Sequence, residues 1–215
     1  MEEIMATEAM AGQELSALEA IHRRRAVRSY KPTAVPEETI RRLLDAAVHA
    51  PTAMHLEPWT FVVVQDRSVM RHVSDRAKAV MRERATAHRE LLRAPGAAPA
   101  GRTAALLENP EFNVFYDAST LIVICAKRLG EFVTADCWLA AENVMLAASA
   151  LGLGSCCIGF ALPALHTQDV KHELGIPDGV DAVAAIIVGV PRGETPVVPR
   201  KPPEILRWIS AHPLA

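Results

Sequence analysis

A layered domain of the α/β or α+β class is expected from the way apolar residues are distributed along this chain. Three short runs read as buried strands: Phe61-Val62-Val63-Val64, Thr120 to Ala126 (TLIVICA) and Ala182 to Val190 (AVAAIIVGV). β-Branched residues, which suit a pleated surface, recur in all three. Long helical patterns separate them, and strands alternating with helices pack as layers around one core. The 215 residues are 50% hydrophobic and 22% charged, which suits one soluble domain with a sizeable core. No repeat or composition break divides the chain. A single domain is therefore expected over 15–215, preceded by a mobile tail over 1–14.

Ser16-Ala17-Leu18-Glu19 is a capping-box pattern, in which hydroxyl and carboxylate each satisfy a backbone N–H at a helix start. A helix is expected from there to about Arg25. Pro36 stands where a first helical turn tolerates proline. Ile40, Leu43, Leu44, Ala47 and Val48 then fall on one face of a helix that stops at Pro51. Residues 67–93 read as a charged amphipathic helix with Met70, Val73, Ala77, Val80 and Met81 inward. Residues 94–102 (APGAAPAGR) read as a flexible loop, and those following to about Phe115 as a mobile lid. Ala135 to Leu151 is apolar almost all round through Trp138, Leu139, Val144, Met145 and Leu146. Such a helix is buried on most sides, inside the fold or in a subunit interface. Residues 152–160 (GLGSCCIGF) read as a glycine-rich connection, and 167–174 as a short helix closed by Gly175. The proline-rich tail reads as extended until a short last helix.

Lys and Arg number 23 against 25 Asp and Glu, a formal net charge of −2. That balance argues against a nucleic acid or a membrane surface as partner, since both favour a broad basic face. No apolar run reaches the ~18 residues of a membrane-spanning helix. The acidic start, MEEIMATEAM, lacks the segments of a secretion signal. The four cysteines, Cys125, Cys137, Cys156 and Cys157, form no CxxC pair and have no histidines at metal-ligand spacing, so no metal site is expected. Adjacent Cys156 and Cys157 read as reduced thiols packed as small apolar groups rather than as a vicinal disulfide. A cytoplasmic location fits this usage.

Against that neutral background, residues 23–28 (RRRAVR) concentrate positive charge. On a continuous helix Arg24 and Arg28, four apart, share a face, and paired guanidinium forks match a phosphate. A solvated helix end, where the dipole favours cations, fits the same residues. Ala50 to Phe61 (APTAMHLEPWTF) is a loop between helix and strand, suited to touching a ligand or to plain connection anchored by Trp59. GLGSCCIGF lets a flat ligand approach the backbone, or makes a tight turn. It is not GxGxxG and follows a helix, so a Rossmann pyrophosphate site fits poorly. Arg200-Lys201-Pro202 is a second isolated cationic spot.

Taken in order, RRxxR after a first helix, AP(T)xxxxxPWxF after the second, GLGxCxIGF after a late buried helix, a strand ending in GVP, and then RKP resemble the FMN-dependent nitroreductase family over about residues 17–208. The resemblance implies an α+β fold: an α-β-α layered sandwich with a central mixed, mainly antiparallel sheet, assembled as an intertwined homodimer. It implies that Arg24 and Arg28 hold the FMN phosphate and that Arg200 closes on it. Arg25 and Ala26 join that set, Ala26 through backbone alone because the family's serine is missing. Cys157, Ile158 and Gly159 match backbone beside the flavin ring. Pro51, Thr52, Ala53 and His55 match the loop that reaches the flavin from the second subunit.

The implied activity is hydride transfer from NADH or NADPH through flavin N5 to a small-molecule acceptor such as a nitroaromatic or quinone. The flavin carries that chemistry and no side chain is needed as nucleophile or general acid. His55, Phe112 and Phe115 are the expected acceptor contacts. Two positions depart from the family pattern: His55 stands where asparagine is usual, and Glu57 where glutamine is. A neutral His55 still hydrogen-bonds, and it can gain charge near neutral pH. The alternatives are a same-fold flavin destructase or reductive dehalogenase, a non-catalytic FMN-binding protein, and a thiol or metal protein built on Cys156 and Cys157.

Overall fold

The computed structural model describes residues 15–91 and 102–209. The expected tail over 1–14 and all of the expected 94–102 loop but Arg102 lie outside them. Helix α1 (Ala17–Arg23) starts at the capping box, with Glu19 N–H on the Ser16 hydroxyl and Ser16 N–H on the Glu19 carboxylate. Helix α2 (Glu37–Val48) follows Pro36 and buries Ile40, Leu43 and Ala47. Then come strand β1 (Trp59–Val64), helix α3 (Arg67–Leu91), helix α4 (Arg102–Glu108) and strand β2 (Thr120–Lys127). Helix α5 (Val133–Ala150), strand β3 (Gly154–Cys157), helices α6 (Leu162–Leu165) and α7 (Gln168–Glu173), and strand β4 (Val180–Gly189) complete the order.

The four strands form one sheet in the order β1-β2-β4-β3, each pair antiparallel. A parallel bridge from Ala26 to Ser155 adds the mixed element at the β3 edge. Alternation along β2 sends Leu121, Val123 and Cys125 to one face, where α3, α6 and α7 pack through Val73, Leu165 and Val170. Ile122, Ile124 and Ala126 go to the other face, where α2 and α5 pack through Leu43 and Val144. A bulge between Ile124 and Cys125 shifts the register against β4, so Ala182 and Ala185 face the first cluster while Ala184 and Ile186 face the second. Both faces of the sheet are thus covered by helices, which is the layered sandwich. Each fully buried aliphatic side chain contributes about 1.5–3 kcal/mol, and most of those in the sheet come from β2 and β4, its buried centre.

Several boundaries differ from expectation. Helix α1 ends at Arg23 rather than Arg25, because the Arg25 side chain donates to the carbonyls of His22 (2.6 Å) and Arg24 (2.8 Å) and closes the helix. Arg24 is already extended (φ −53°, ψ 132°), so Arg24 and Arg28 do not share a helix face. β1 is half covered, as an edge strand. GLGSCCIGF contains β3 instead of being only a connection. Helices α4 and α6 are additional, α4 falling in the stretch expected as a lid. No helix forms in the described tail up to Ile209.

β3 is pinned on both sides. It pairs with β4 through Gly154 to Cys157, and Val27 N–H donates to the Ser155 carbonyl at 3.0 Å on its other edge. Gly154 permits that approach: a Cβ there would lie 2.8–2.9 Å from Val27 Cβ, Cγ1 and Cγ2. These atoms belong to a β-branched side chain that cannot swing aside. Gly154→Ala is expected to cost about 1–3 kcal/mol of stability through overpacking. A double-mutant cycle in urea checks this. Adding Val27→Ala should recover part of the loss, giving a coupling energy of opposite sign to the single costs.

Candidate functional site

The arginine segment leaves α1 as extended chain and lies along the sheet edge. Ala26 bridges Ser155, Lys31 N–H donates to the Val190 carbonyl at 2.8 Å, and Arg192 N–H donates to the Ser29 carbonyl at 2.9 Å. Tyr30 is buried beneath it, its hydroxyl donating to the Val27 carbonyl at 2.8 Å. The guanidinium groups therefore project from a backbone fixed to the core.

Two clefts flank this segment. The first, about 410 Å³, is lined by Arg23, Arg24, Arg25, Ser155, Glu194 and Thr195 among others. Arg24 is partly covered, and its Nε stands 3.7 Å from the Glu142 carboxylate of α5. Such a loose, half-exposed pair contributes little, so the Arg24 fork can turn to an incoming anion. The second cleft, about 210 Å³, is apolar and aromatic, with Arg28, Leu106, Phe112, Tyr116, Cys157 and Gly159 in its lining. Phe112 and Tyr116 meet edge to face at 5.7 Å, and Arg28 lies 5.9 Å from the Tyr116 ring centre, within cation–π range. Ile158 N–H is held by the Ala185 carbonyl at 2.8 Å. At Gly159 an added Cβ would meet nothing within 4 Å, so the chain presents bare backbone to open space there, as a flat ligand requires.

Tyr116 is held in an unusual conformation. It and Asp117 have φ of 53° and 55°, left-handed values that cost a non-glycine residue about 1–2 kcal/mol. Asn113 holds the turn, accepting from Phe115 N–H at 2.9 Å and donating to the Asp117 carboxylate at 2.8 Å. Strain of this kind gathers at ligand sites.

The loop after α2 is strained as well. Met54, His55 and Glu57 have φ of 55°, 54° and 43°. Asn, Asp and His are the non-glycine residues enriched in this region. That explains how histidine can stand at 55 where the resembling family has asparagine: both side chains tolerate the backbone this turn needs. Ala53 N–H donates to Asp136 Oδ1 at 3.3 Å, across from the first turn of α5. Asp136 is 4% exposed, and its Oδ2 has no protein partner among the described residues. Glu57 is exposed.

The structure thus brings Arg28, Phe112, Cys157, Ile158 and Gly159 to one cleft, and Arg24 and Arg25 to the other. Ala26 contributes backbone, through its bridge to Ser155. Pro51, Thr52, Ala53 and His55 form a separate loop on the surface, and Arg200 lies in the exposed tail. Phe115 is a correction: it is 0% exposed and packs in the core beside α3, so it does not face the cleft. Tyr116 was not legible from the sequence, because nothing local marks a tyrosine for left-handed backbone. Asp136 carried a faint signal, as a lone acid inside the apolar run around Cys137 and Trp138.

All four cysteines are free thiols. Burial pushes Cys125 and Cys137 up to about 11 and raises Cys156 and Cys157 as well, Arg28 and Arg24 pulling Cys156 partly back. These groups are protonated at neutral pH and are poor nucleophiles. Among the described residues no three His, Cys, Asp or Glu side chains gather as metal ligands, and no helix is long and apolar enough to cross a membrane.

Residues 21–190 match the nitroreductase family profile. Nitroreductase NfnB of Mycolicibacterium smegmatis is 31% identical over 174 residues, covering 71% of this chain and 74% of that protein. An iodotyrosine deiodinase of Thermotoga neapolitana is 24% identical over 185 residues, covering 83% and 90%. In fold, the chain superposes with a TM-score of 0.74 on a nitroreductase with bound FMN from Bacteroides fragilis, at 22% identity, covering 91% of this chain and 99% of that one. With the profile spanning most of its length, this chain belongs to the nitroreductase family.

Proposed function

We propose that the protein is an FMN-dependent oxidoreductase that takes hydride from NADH or NADPH and passes it to a small electron-poor acceptor such as a nitroaromatic or quinone. The observation that carries this reading is the pinned Arg24–Arg28 segment, with a cationic cleft on one side and an apolar, aromatic cleft ending in bare Gly159 backbone on the other. An amphiphilic cofactor with a dianionic end and a flat ring fits both chemistries. Arg24 would hold the phosphate from the cationic cleft and Arg28 would reach it from the mouth of the other, with Arg200 added from a tail. Ile158 and Gly159 would face the ring, and Thr52, Ala53 and His55 would come from a second copy. When bound, FMN supplies the two-electron hydride chemistry that no side chain here provides. The chain binds and orients it, and Phe112, Tyr116 and Leu106 exclude water from the acceptor's place.

Exposed apolar residues support a homodimer. On α5, Trp138 and Leu139 are 40% and 46% exposed, and in the loop after α2 Met54 is 87% exposed. The tail runs exposed through Val197, Leu206 and Trp208. Large apolar side chains left exposed in such number suit burial against a second copy, and a tail of this length suits an intertwined pair. The free thiols suit a reducing cytoplasm.

The test uses one purified sample. It is expected to be yellow, to sediment as a dimer, and to oxidise NADH or NADPH only when a nitroaromatic or quinone is present. A colourless sample that takes up no FMN defeats the reading, and a yellow one without turnover leaves a flavin-binding protein. The deiodinase relative favours one second reading, reductive dehalogenation. Release of iodide from an iodotyrosine under reducing conditions would distinguish it.

A further inference from the structure

Helix α3 carries a polar stripe that the flavin reading does not use. Ser74, Lys78 and Arg82 are spaced by four, so they share one face of the helix. Ser74 is 0% exposed and its hydroxyl accepts from Val114 N–H at 2.9 Å. Lys78 is 4% exposed, with its ammonium 3.5 and 3.4 Å from the carbonyls of Asn109 and Pro110 and 2.9 Å from the Asp75 carboxylate. Arg82 donates to the Leu107 carbonyl at 2.8 Å. All three grip one stretch, residues 107–114, and all three grip its backbone.

That stretch covers the apolar cleft. Leu106, Phe112, Val114 and Tyr116 line the cleft from this side, while Leu107 and Phe115 turn into the core. The sequence suggests a mobile lid here, yet the nearly buried Lys78 ammonium, paired with Asp75, also reaches two carbonyls of this stretch and ties it to α3. We infer that Ser74, Lys78 and Arg82 are positioning residues that clamp the backbone of 107–114 and thereby set the shape of the acceptor's side of the cleft. Because the clamp holds main chain, the cleft-facing side chains can differ without loosening the cover. The link to the acceptor rests on the flavin reading above; the clamp itself does not.

Lys78→Met keeps the apolar stem and deletes the charge. In the FMN-loaded dimer, the acceptor KM is expected to rise about fivefold, the size of one lost hydrogen bond of ordinary strength. Amides over 107–114 should exchange hydrogen faster, FMN affinity should hold, and Lys78→Arg should restore most of the KM. Ser74→Ala, which removes only the Val114 acceptor, should move the same two readouts in the same direction, and it serves if Lys78→Met folds poorly. Unchanged exchange over 107–114 in both variants overturns the clamp. Loss of FMN in parallel with the KM change overturns it too, since general loosening then explains the data. If the wild-type protein binds no flavin, the proposed function falls, while hydrogen exchange still decides the clamp.

Discussion

Alanine in place of Arg28 will cause the protein to lose FMN on dilution. A charge-assisted phosphate bond contributes roughly 1.5–3 kcal/mol, so the dissociation constant should rise about tenfold or more. Folding should hardly change. The Arg28 side chain is exposed, and the backbone around it is fixed by neighbours: Val27 N–H on Ser155, Arg192 N–H on the Ser29 carbonyl, and the buried Tyr30. Its stacking over Tyr116 at 5.9 Å adds about 0.5–1 kcal/mol at an exposed site, too little to unfold a domain. Fluorescence titration of the apoprotein with FMN, beside a thermal melt, reads both effects. Arg28→Lys separates charge from shape: it keeps the cation but not the planar fork, and should fall between wild type and alanine. Equal affinity in all three proteins would remove Arg28 from the phosphate.

Much of the fold was legible because local signals agreed with the final packing. Ser16 and Glu19 make the cap that their spacing suggests, and Ile40, Leu43 and Ala47 bury the face that their period implies. TLIVICA is the central strand. The failures are places where a particular contact, distant or local, overrides the pattern. Gly154 to Cys157 has the composition of a turn and becomes a strand because β4 and the Val27 segment pair with it from both sides. Arg24 and Arg28 are evenly spaced for a helix, but Arg25 folds back on the carbonyls of His22 and Arg24 and ends it. Half-burial of β1 follows from its place at the sheet edge, which its own residues do not encode.

The candidate site divides in the same way. Glycine and arginine advertise themselves, because few residues can leave backbone bare or match a phosphate. The contribution of Tyr116 depends on left-handed backbone stabilised by Asn113, and that of Asp136 on a loop 83 positions away in the chain. The Asn113 contacts are local, two and four residues along, but do not name the side chain they turn outward, and the Asp136 contact has no spacing that a sequence can show.

Phe112 and Phe115 read alike in the sequence, three apart in one aromatic stretch, and substitution will separate them. Phe115 is fully buried against the face that holds Val73, Leu121 and Leu165, while Phe112 stands at the cleft beside Tyr116. Phe115→Ala is expected to cost about 3–5 kcal/mol, from lost burial and the cavity left behind. For a chain of this size that lowers the melting temperature by about 10 °C, measured at fixed protein concentration. Phe112→Ala, at a half-buried side chain resting on the core from the cleft side, should melt much closer to wild type than Phe115→Ala and instead weaken acceptor binding, because it removes a wall of the cleft. The two readouts therefore cross. If Phe115→Ala melts like wild type and raises the acceptor KM, then Phe115 belongs to the cleft after all and the described packing of residues 113–117 is wrong. The carrier of the expected outcome is the Asn113 turn, which places residue 115 inward and residue 116 outward.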